Sequence, residues 1–437
     1  MRELSSPEKW KVAPIADEPM VVCSSPDPRK VTVGHPSILA LSSGRILVAL
    51  DYQGPGLGKL KGKKGKVNRN GHWIQGCVMV STDKGKTWEQ KLEYPSGCGQ
   101  LFASGTNIYL LGYTNGLEIM RSGDGGENWS KSEKLSASAI NDTCYEGGLP
   151  SLLINDSEAM AVAFNLSDAK AHGEICDLLR PVMLQAKCGT SLNSSKNWTQ
   201  SSPGPSLPEF LDIQQISALG APIFNVPEDT RQINVGAGRW AGHPGWSNPH
   251  LLRIPDSRHP WQNREKSTLH LLASASMHRS NCAILMRIET YGSTTARFTP
   301  QTTPGGSHFS LIPLPGGHLP FDIFYDDKSE RFWLISNVAD NSMIIPRNLP
   351  AKHVGLPCEQ RTSLQIQTSR NLVDWTFVAL AIEADQSNLI SIHEPSAAVC
   401  GDNLCIASRA SDSDAKNERD SNNIIFTTIP NFRSLIR

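Results

Sequence analysis

The chain has 437 residues, with Lys+Arg and Asp+Glu both at 42, so its formal charge is zero. That balance excludes nucleic-acid or anionic-membrane binding through an overall field, and no apolar run approaches the roughly 20 residues that span a bilayer. Thirty-five Gly and 29 Pro with only 19% charged residues point to strands and turns rather than helices, and to one large β architecture.

In chain order, the first residues lack the apolar core of a secretory signal, so the expected setting is cytoplasmic. The stretch around Trp10–Val22 precedes the first full unit and is expected to complete the last sheet. Residues 34–50, GHPSILALSSGRILVAL, read as a short strand, a turn and an apolar strand ending at Asp51 and Tyr52. A loop with Lys59, Lys61, Lys63, Lys64, Lys66 and Arg69 follows. It is either a solvated surface loop or a cationic lid that would attract an anionic sugar. Residues 81–88 read S-T-D-K-G-K-T-W, and 122–129 read S-G-D-G-G-E-N-W, both matching S-x-D-x-G-x-x-W. In such an Asp-box the Asp closes a turn on backbone N–H groups, Gly supplies a positive φ, and Trp folds back over the hairpin. Asp83, Asp124, Trp88 and Trp129 are thus read as structural.

Between these two lies GQLFASGTNIYLLG at 99–112, a unit without the Pro, and 148–164 (GLPSLLINDSEAMAVAF) repeats the first pattern. A weakened turn copy ends at Trp198. An insertion over 225–247 carries Arg239, Trp240, His243 and Trp246, suited either to stacking on a sugar face or to packing on a neighbouring sheet. NPHLL at 248–252 returns at 268–274, followed by His278 and Arg279. LPFDIFYDDKSERFWLIS at 319–336 follows His318, a further turn copy ends at Trp375, and EPSAAVCGDNLCIA occupies 394–407. Six four-stranded units starting near 35, 99, 149, 248, 319 and 394 predict an all-β protein, a single six-bladed β-propeller with Asp-box repeats over residues 1–437.

In a blade, the innermost strand starts at one face and the second strand returns to it. The residue before each Pro and those just after each second strand are therefore expected around the central channel. This collects His35, Asp51, Tyr52, Tyr113, Leu149, Asn165, Trp246, Asn248, His278, Arg279, His318, Asp322, Asn337, His393, Glu394 and Arg409. Polar groups converging from separate blades are what a sugar-binding or hydrolytic site needs. The ten cysteines contain no CxxC pair and no zinc-like spacing with His, so they read as reduced thiols, and no metal or cofactor is expected. Six Asn-x-Ser/Thr sequons read as chance occurrences, and a monomer is expected.

The two Asp-boxes, the blade-opening x-Pro-Ser and the late Glu394-Pro-Ser with Arg409 resemble the sialidase (neuraminidase) superfamily of BNR/Asp-box proteins over essentially the whole chain. The resemblance implies an exo-acting glycoside hydrolase on an acidic sugar, with arginines clamping a carboxylate, a Tyr–Glu nucleophile pair and an Asp acid/base. Carried over, Glu394 and Arg409 match the family's Glu…Arg blade, Arg279 is a second clamp and Asp51 takes the acid role; the channel positions add His35 to the catalytic set and Tyr52, His278 and His318 to the substrate-binding set. Gly34-His35-Pro36 stands where the family has Arg-Ile-Pro, and Tyr52, Tyr113 and Tyr325 are the candidates for its nucleophile. A polysaccharide lyase on uronic-acid chains and a non-catalytic glycan-binding propeller stay open beside the hydrolase.

Overall fold

The computed structural model describes residues 12–65, 71–113, 116–135, 144–145, 148–166, 178–210, 216–218, 232–236, 239–242, 245–262, 268–276, 281–291, 295–303, 305–339 and 360–436. These form a six-bladed β-propeller. Blade 1 orders Thr32–Ala40, Ile46–Gln53, Ile74–Ser81 and Glu89–Tyr94 as an antiparallel meander. Blade 2 repeats it with Gly97–Ser104, Asn107–Tyr113, Leu117–Ser122 and Glu133–Lys134. In blade 3, both Cys144–Tyr145 and Ser151–Ile154 pair with Glu158–Leu166, and Leu179–Lys187 and Trp198–Gln200 follow.

Blade 4 starts with Gly245–Leu252, Leu269–Ser276 and Cys282–Tyr291, the last of which takes both Thr295–Thr299 and His308–Pro313 on its outer edge. Blade 5 is Asp322–Asp326, Arg331–Ser336, Ser363–Ser369 and Thr376–Glu383. Blade 6 is Ser391–Cys400, Asn403–Ser411 and Asn423–Ile429, with Met20–Ser24 antiparallel on its outer edge.

The near-continuous apolar runs follow from this packing. A strand alternates its side chains between two faces, and here both faces of a blade meet a neighbouring blade. Leu47 and Ala49 face blade 2 with Val78, Leu101 and Leu110, while Ile46, Val48 and Leu50 face blade 6 with Ala407, Ile424 and Phe426. Each remaining seam has its own apolar cluster, around Leu111 and Ala161, Met160 and Leu271, Leu285 and Phe332, and Trp333 and Ile406. The core is thus a ring of six slabs rather than one centre.

The S-x-D-x-G-x-x-W turns join the third and fourth strands of blades 1 and 2. Asp83 Oδ1 accepts from the Thr87 amide at 2.9 Å and the Ser81 hydroxyl at 2.8 Å, and Trp88 Nε1 donates to Gly85 O at 3.0 Å. Asp124 repeats this with the Asn128 amide at 2.9 Å and Ser122 Oγ at 2.8 Å, and Trp129 Nε1 donates to Gly126 O at 3.0 Å. The Thr87 hydroxyl at 2.6 Å on Asp83, and the Asn128 amide with its side chain at 2.7 Å on Asp124, together with the Thr87 amide and the serine hydrogen bonds, hold both carboxyls at about 2, well below the ordinary value. Trp88 packs edge-on against Phe426 of blade 6, with ring centroids 5.4 Å apart.

A polar lock crosses four seams next to the channel. The serine after each of three blade-opening prolines accepts a hydrogen bond from the inner-strand amide of the next blade. Ser37 takes it from Leu101 at 2.9 Å, Ser151 from Leu251 at 2.7 Å, and Ser396 from Ile38 at 3.2 Å. Asp322 Oδ2 does the same for Ala397 at 2.6 Å.

Candidate functional site

The inner strands of blades 1, 2, 4 and 6 each carry a bulge at their channel entry, where pairing skips between Gly34 and Ser37, Gly97 and Gln100, Ser247 and Pro249, and His393 and Ser396. At each bulge a non-glycine residue has a left-handed backbone: His35 (φ 49°), Cys98 (φ 49°), Asn248 (φ 51°) and Glu394 (φ 51°). Blade 3 has Gly148 (φ 99°) in this role, just before Leu149-Pro150. A left-handed non-glycine residue costs roughly 1–2 kcal/mol, and such strain concentrates at functional sites. The bulges aim these residues at one another around the ring.

Their contacts form a chain from blade 6 to blade 4. Arg409 Nη1 donates to Glu394 Oε2 at 2.9 Å, and Glu394 Oε1 lies 3.8 Å from His35 Nε2. On its other side, His35 Nδ1 meets Asp51 Oδ2 at 3.0 Å and Oδ1 at 3.2 Å. The Cys98 amide donates to Asp51 Oδ2 at 2.8 Å, and Gln53 Nε2 donates to Oδ1 at 3.0 Å. Tyr113 donates to the carbonyl of Gly148, where a side chain would strike Asn248.

Gly34 and Gly97 make room for this row. A Cβ on Gly97 would stand 2.9 Å from Asp51 Oδ2, and one on Gly34 would touch the Arg409 guanidinium. Asp51 is fully buried, whereas the His35 side chain is 21% exposed. His35, with Arg409 at 17% exposure, is therefore among the members of the row open to solvent.

Electrostatics sort the row into charged and neutral members. Burial pulls the His35 imidazole down, and the charges of Asp51 and Glu394 with the Asp51 hydrogen bond outweigh it, holding it well above its ordinary value. Burial pushes the Asp51 carboxyl up, but the His35 charge and the hydrogen bonds from His35, Cys98 and Gln53 bring it below the usual range. The two form an ion pair near neutral pH. His393, next to Glu394 in sequence, goes the other way: burial first, then Arg409, Arg361 and Arg419, push it well below the ordinary imidazole value. Burial raises Asp322 to about 6, although the Ala397 and Ile323 amides both donate to it.

The remaining sequence-derived candidates lie apart from the row or beyond the described residues. The Tyr52 hydroxyl meets Cys23 Sγ at 2.7 Å, on the seam with the N-terminal strand. His318 is buried, accepts from the Asn281 amide at 3.0 Å, and is pushed down to about 3 by burial. Trp246 is a core residue that donates to Leu179 O at 2.9 Å and stacks on Phe164. Asn337 ties blades 5 and 6 through Ser363 O and Ile392 O. His278, Arg279, His243, Lys66 and Arg69 lie outside the described residues, as do the side chains of Arg239 and Trp240.

Cys98 and Gln53 belong to the row and were not among the candidates. Blade 2 lacks the proline that flagged the other openings. Counting two residues back from Gln100, which has the register position of Ser37, reaches Cys98 opposite His35. Gln53 is two residues beyond Asp51 on one strand and therefore shares its face. Among the described residues, His35, Asp51 and Cys98 offer ligand atoms within 4.8 Å of one another, the one such group that could hold a metal.

No family model matches the chain, and no curated protein sequence matches it. Among solved structures it is similar to a protein of unknown function from Dyadobacter fermentans, at 12% identity and a TM-score of 0.53, over 96% of this chain and 100% of that one. It is also similar to Penicillium chrysogenum alpha-L-arabinanase complexed with arabinobiose, at 11% identity and a TM-score of 0.50, over 95% and 99% of the two chains. Trypanosoma rangeli sialidase in complex with sialic acid is similar at 12% identity and a TM-score of 0.51, over 97% of this chain and 60% of the sialidase. At these identities the likeness is one of fold, the propeller common to these glycosidases.

Proposed function

We propose that the chain is a glycoside hydrolase of the sialidase-like propeller type, cutting a terminal acidic sugar from a glycan at the channel entry. The observation that carries this reading is the row Asp51–His35–Glu394–Arg409 across blades 1 and 6. Glycoside hydrolysis needs one group to protonate the leaving oxygen and another to assist attack at the anomeric carbon. His35, protonated and braced by Asp51, is the proton donor. Glu394, held by Arg409 and 3.8 Å from His35 Nε2, lies on the same side as the acid and orients it and the sugar, while the attacking water gives its proton to solvent. The glycosidic C–O bond breaks, the leaving oxygen takes the His35 proton, and the water oxygen bonds to the anomeric carbon. Asp51 positions His35 and touches no substrate.

The preference for an anionic sugar is supported by the segment that follows Gln53, which exposes Lys59, Lys61 and Lys63 at the same end of blade 1, where Gly62 packs against Gln75 and Glu93 of the outer strands. Its field raises the local concentration of anionic ligand. Two of the similar propellers are named as an arabinanase and a sialidase, with arabinobiose and sialic acid bound, which supports a sugar as the ligand. A second reading is a β-eliminating lyase, in which Glu394 takes the proton from C5 of a uronic acid and protonated His35 gives its proton to the leaving oxygen.

The test is release of free sugar from fluorogenic α-sialosides, uronides and arabinofuranosides, with His35→Gln and Glu394→Gln beside the wild type. Hydrolysis by the wild type, lowered about 10²–10⁴-fold in each variant, is the expected result. Near-ultraviolet absorbance from a uronic-acid oligosaccharide, appearing together with the new reducing end, would replace the hydrolase by the lyase. Glycan binding without turnover would leave a binding propeller.

A further inference from the structure

We propose that His35, Asp51 and Cys98 form a zinc site at the seam of blades 1 and 2, with His35 Nδ1, one Asp51 oxygen and Cys98 Sγ as ligands. The proposal goes beyond the hydrolase reading and stands without it. Local spacing in the sequence hides the set, because the ligands come from three strands of two blades and meet only when the inner strands abut.

Three features of the cluster fit a metal. The ligand atoms lie within 4.8 Å of one another, with His35 Nδ1 already 3.0 Å from Asp51 Oδ2. Zinc bonds of about 2.0 Å to N and O and 2.3 Å to S are reached with small side-chain adjustments. Next, His35 and Cys98 occupy equivalent bulges with the same left-handed φ of 49°, and the preceding glycines leave the space a Cβ would fill, 2.9 Å from Asp51 Oδ2 at Gly97.

The surrounding shell is also of the kind that orients zinc ligands. Metal-binding histidines donate their second N–H to a carboxylate, and here His35 Nε2 faces Glu394 Oε1 at 3.8 Å. The Asp51 carboxylate is steadied by the Cys98 amide and Gln53. A thiolate, an imidazole and a carboxylate together suit zinc better than magnesium or calcium, which take oxygen ligands. With three protein ligands the fourth position stays open, as in catalytic rather than structural zinc sites. Coordination takes His35 Nδ1 away from its hydrogen bond to Asp51, so zinc is expected to slow any reaction that uses the His35–Asp51 ion pair.

Cobalt(II) serves as the spectroscopic probe. The full chain, stripped with chelator and kept reduced, is titrated with Co²⁺ and then with Zn²⁺. One equivalent is expected to give a thiolate-to-cobalt charge-transfer band and tetrahedral visible bands, both displaced by zinc. Cys98→Ser should abolish the charge-transfer band and weaken binding beyond the roughly 10–100-fold of an outer-shell change. Cys77→Ser, which removes a buried thiol outside the cluster, should leave the band intact. Absence of the band in the wild type overturns the site, as does its persistence in Cys98→Ser or its loss in Cys77→Ser. Should Cys98→Ser fail to fold, His35→Gln, on a partly exposed side chain, gives the same answer through loss of affinity. Because binding is read directly, a chain without glycosidase activity does not affect this result.

Discussion

Ser396 in blade 6 accepts a hydrogen bond from the Ile38 amide of blade 1 at 3.2 Å, linking residues 358 positions apart across the seam that closes the ring. Replacing Ser396 with Ala leaves that buried amide without an acceptor, which costs about 1–3 kcal/mol. Chemical denaturation should show the loss. Ser43→Ala, which removes an exposed hydroxyl that only caps a hairpin turn at the Arg45 amide, should change stability by under about 0.5 kcal/mol. Equal effects would mean that the serine lock contributes nothing to closure.

Gly85 and Gly44 separate backbone strain from steric conflict. Both have left-handed backbones, at φ +87° and +84°, but a Cβ on Gly85 would lie 2.1 Å from the Phe426 ring, whereas one on Gly44 meets nothing within 4 Å. Gly44→Ala is expected to cost roughly 1–2 kcal/mol. Gly85→Ala should cost about 1–3 kcal/mol more from overpacking. Equilibrium unfolding of the two variants measures the difference directly.

The Glu394–Arg409 pair predicts non-additive energetics. Its side chains are largely buried, and Arg409 Nη2 also donates to Arg419 O at 3.1 Å. Arg409→Met should cost up to about 3–5 kcal/mol, because the buried Glu394 carboxylate loses its hydrogen-bonded cation and keeps only His35 at 3.8 Å, and adding Glu394→Gln should restore a large part of it. A double variant no more stable than Arg409→Met would show that the cost is lost packing rather than an unpaired charge.

Asp326 gives the protein an acid limit. Its two oxygens accept from Arg433 Nη2 at 2.6 Å and Nε at 2.8 Å, which with the Ser329 hydrogen bonds lowers the carboxyl from 3.8 to about 2. A carboxyl lowered on folding contributes stability above its unfolded value, and that contribution is lost as pH falls through the folded one. Stability should therefore decline between about pH 3.8 and 2 through this pair, and Asp326→Asn should flatten that part of the profile. An unchanged acid slope in the variant would show that the pair is not linked to unfolding.

The architecture was legible because a propeller repeats its instructions. Pro-Ser openings, apolar alternation and Asp–Trp turns each recur at a fixed place in the blade, and period-2 strands buried on both faces read as long apolar runs. The channel row was half legible. His35, Glu394 and Asn248 precede prolines, and Asp51 and Arg409 end second strands, so counting along the chain reaches them. Cys98 was hidden because Gly99 stands where the other blades have proline. Tyr52 was misleading because a strand end offers two faces, and this hydroxyl points into the seam with Cys23. His278 and Arg279 lie outside the described residues and leave that part of the row unassigned.

Pairing Met20–Ser24 with Asn423–Ile429 also sets an order of events during synthesis. Ser24 hydrogen-bonds Asn423, 399 positions later. At about 5–20 residues per second, the first strand waits roughly 20–80 s for its partner to be made. During that interval, Met20 to Ser24 lie unpaired, and blade 1 presents an apolar face with no sixth slab against it. Five blades can form in sequence, but the ring can close only after Asn423–Ile429 has been made. A pause or truncation near the C-terminus would therefore expose the two ends of an open propeller to each other's neighbours on other ribosomes.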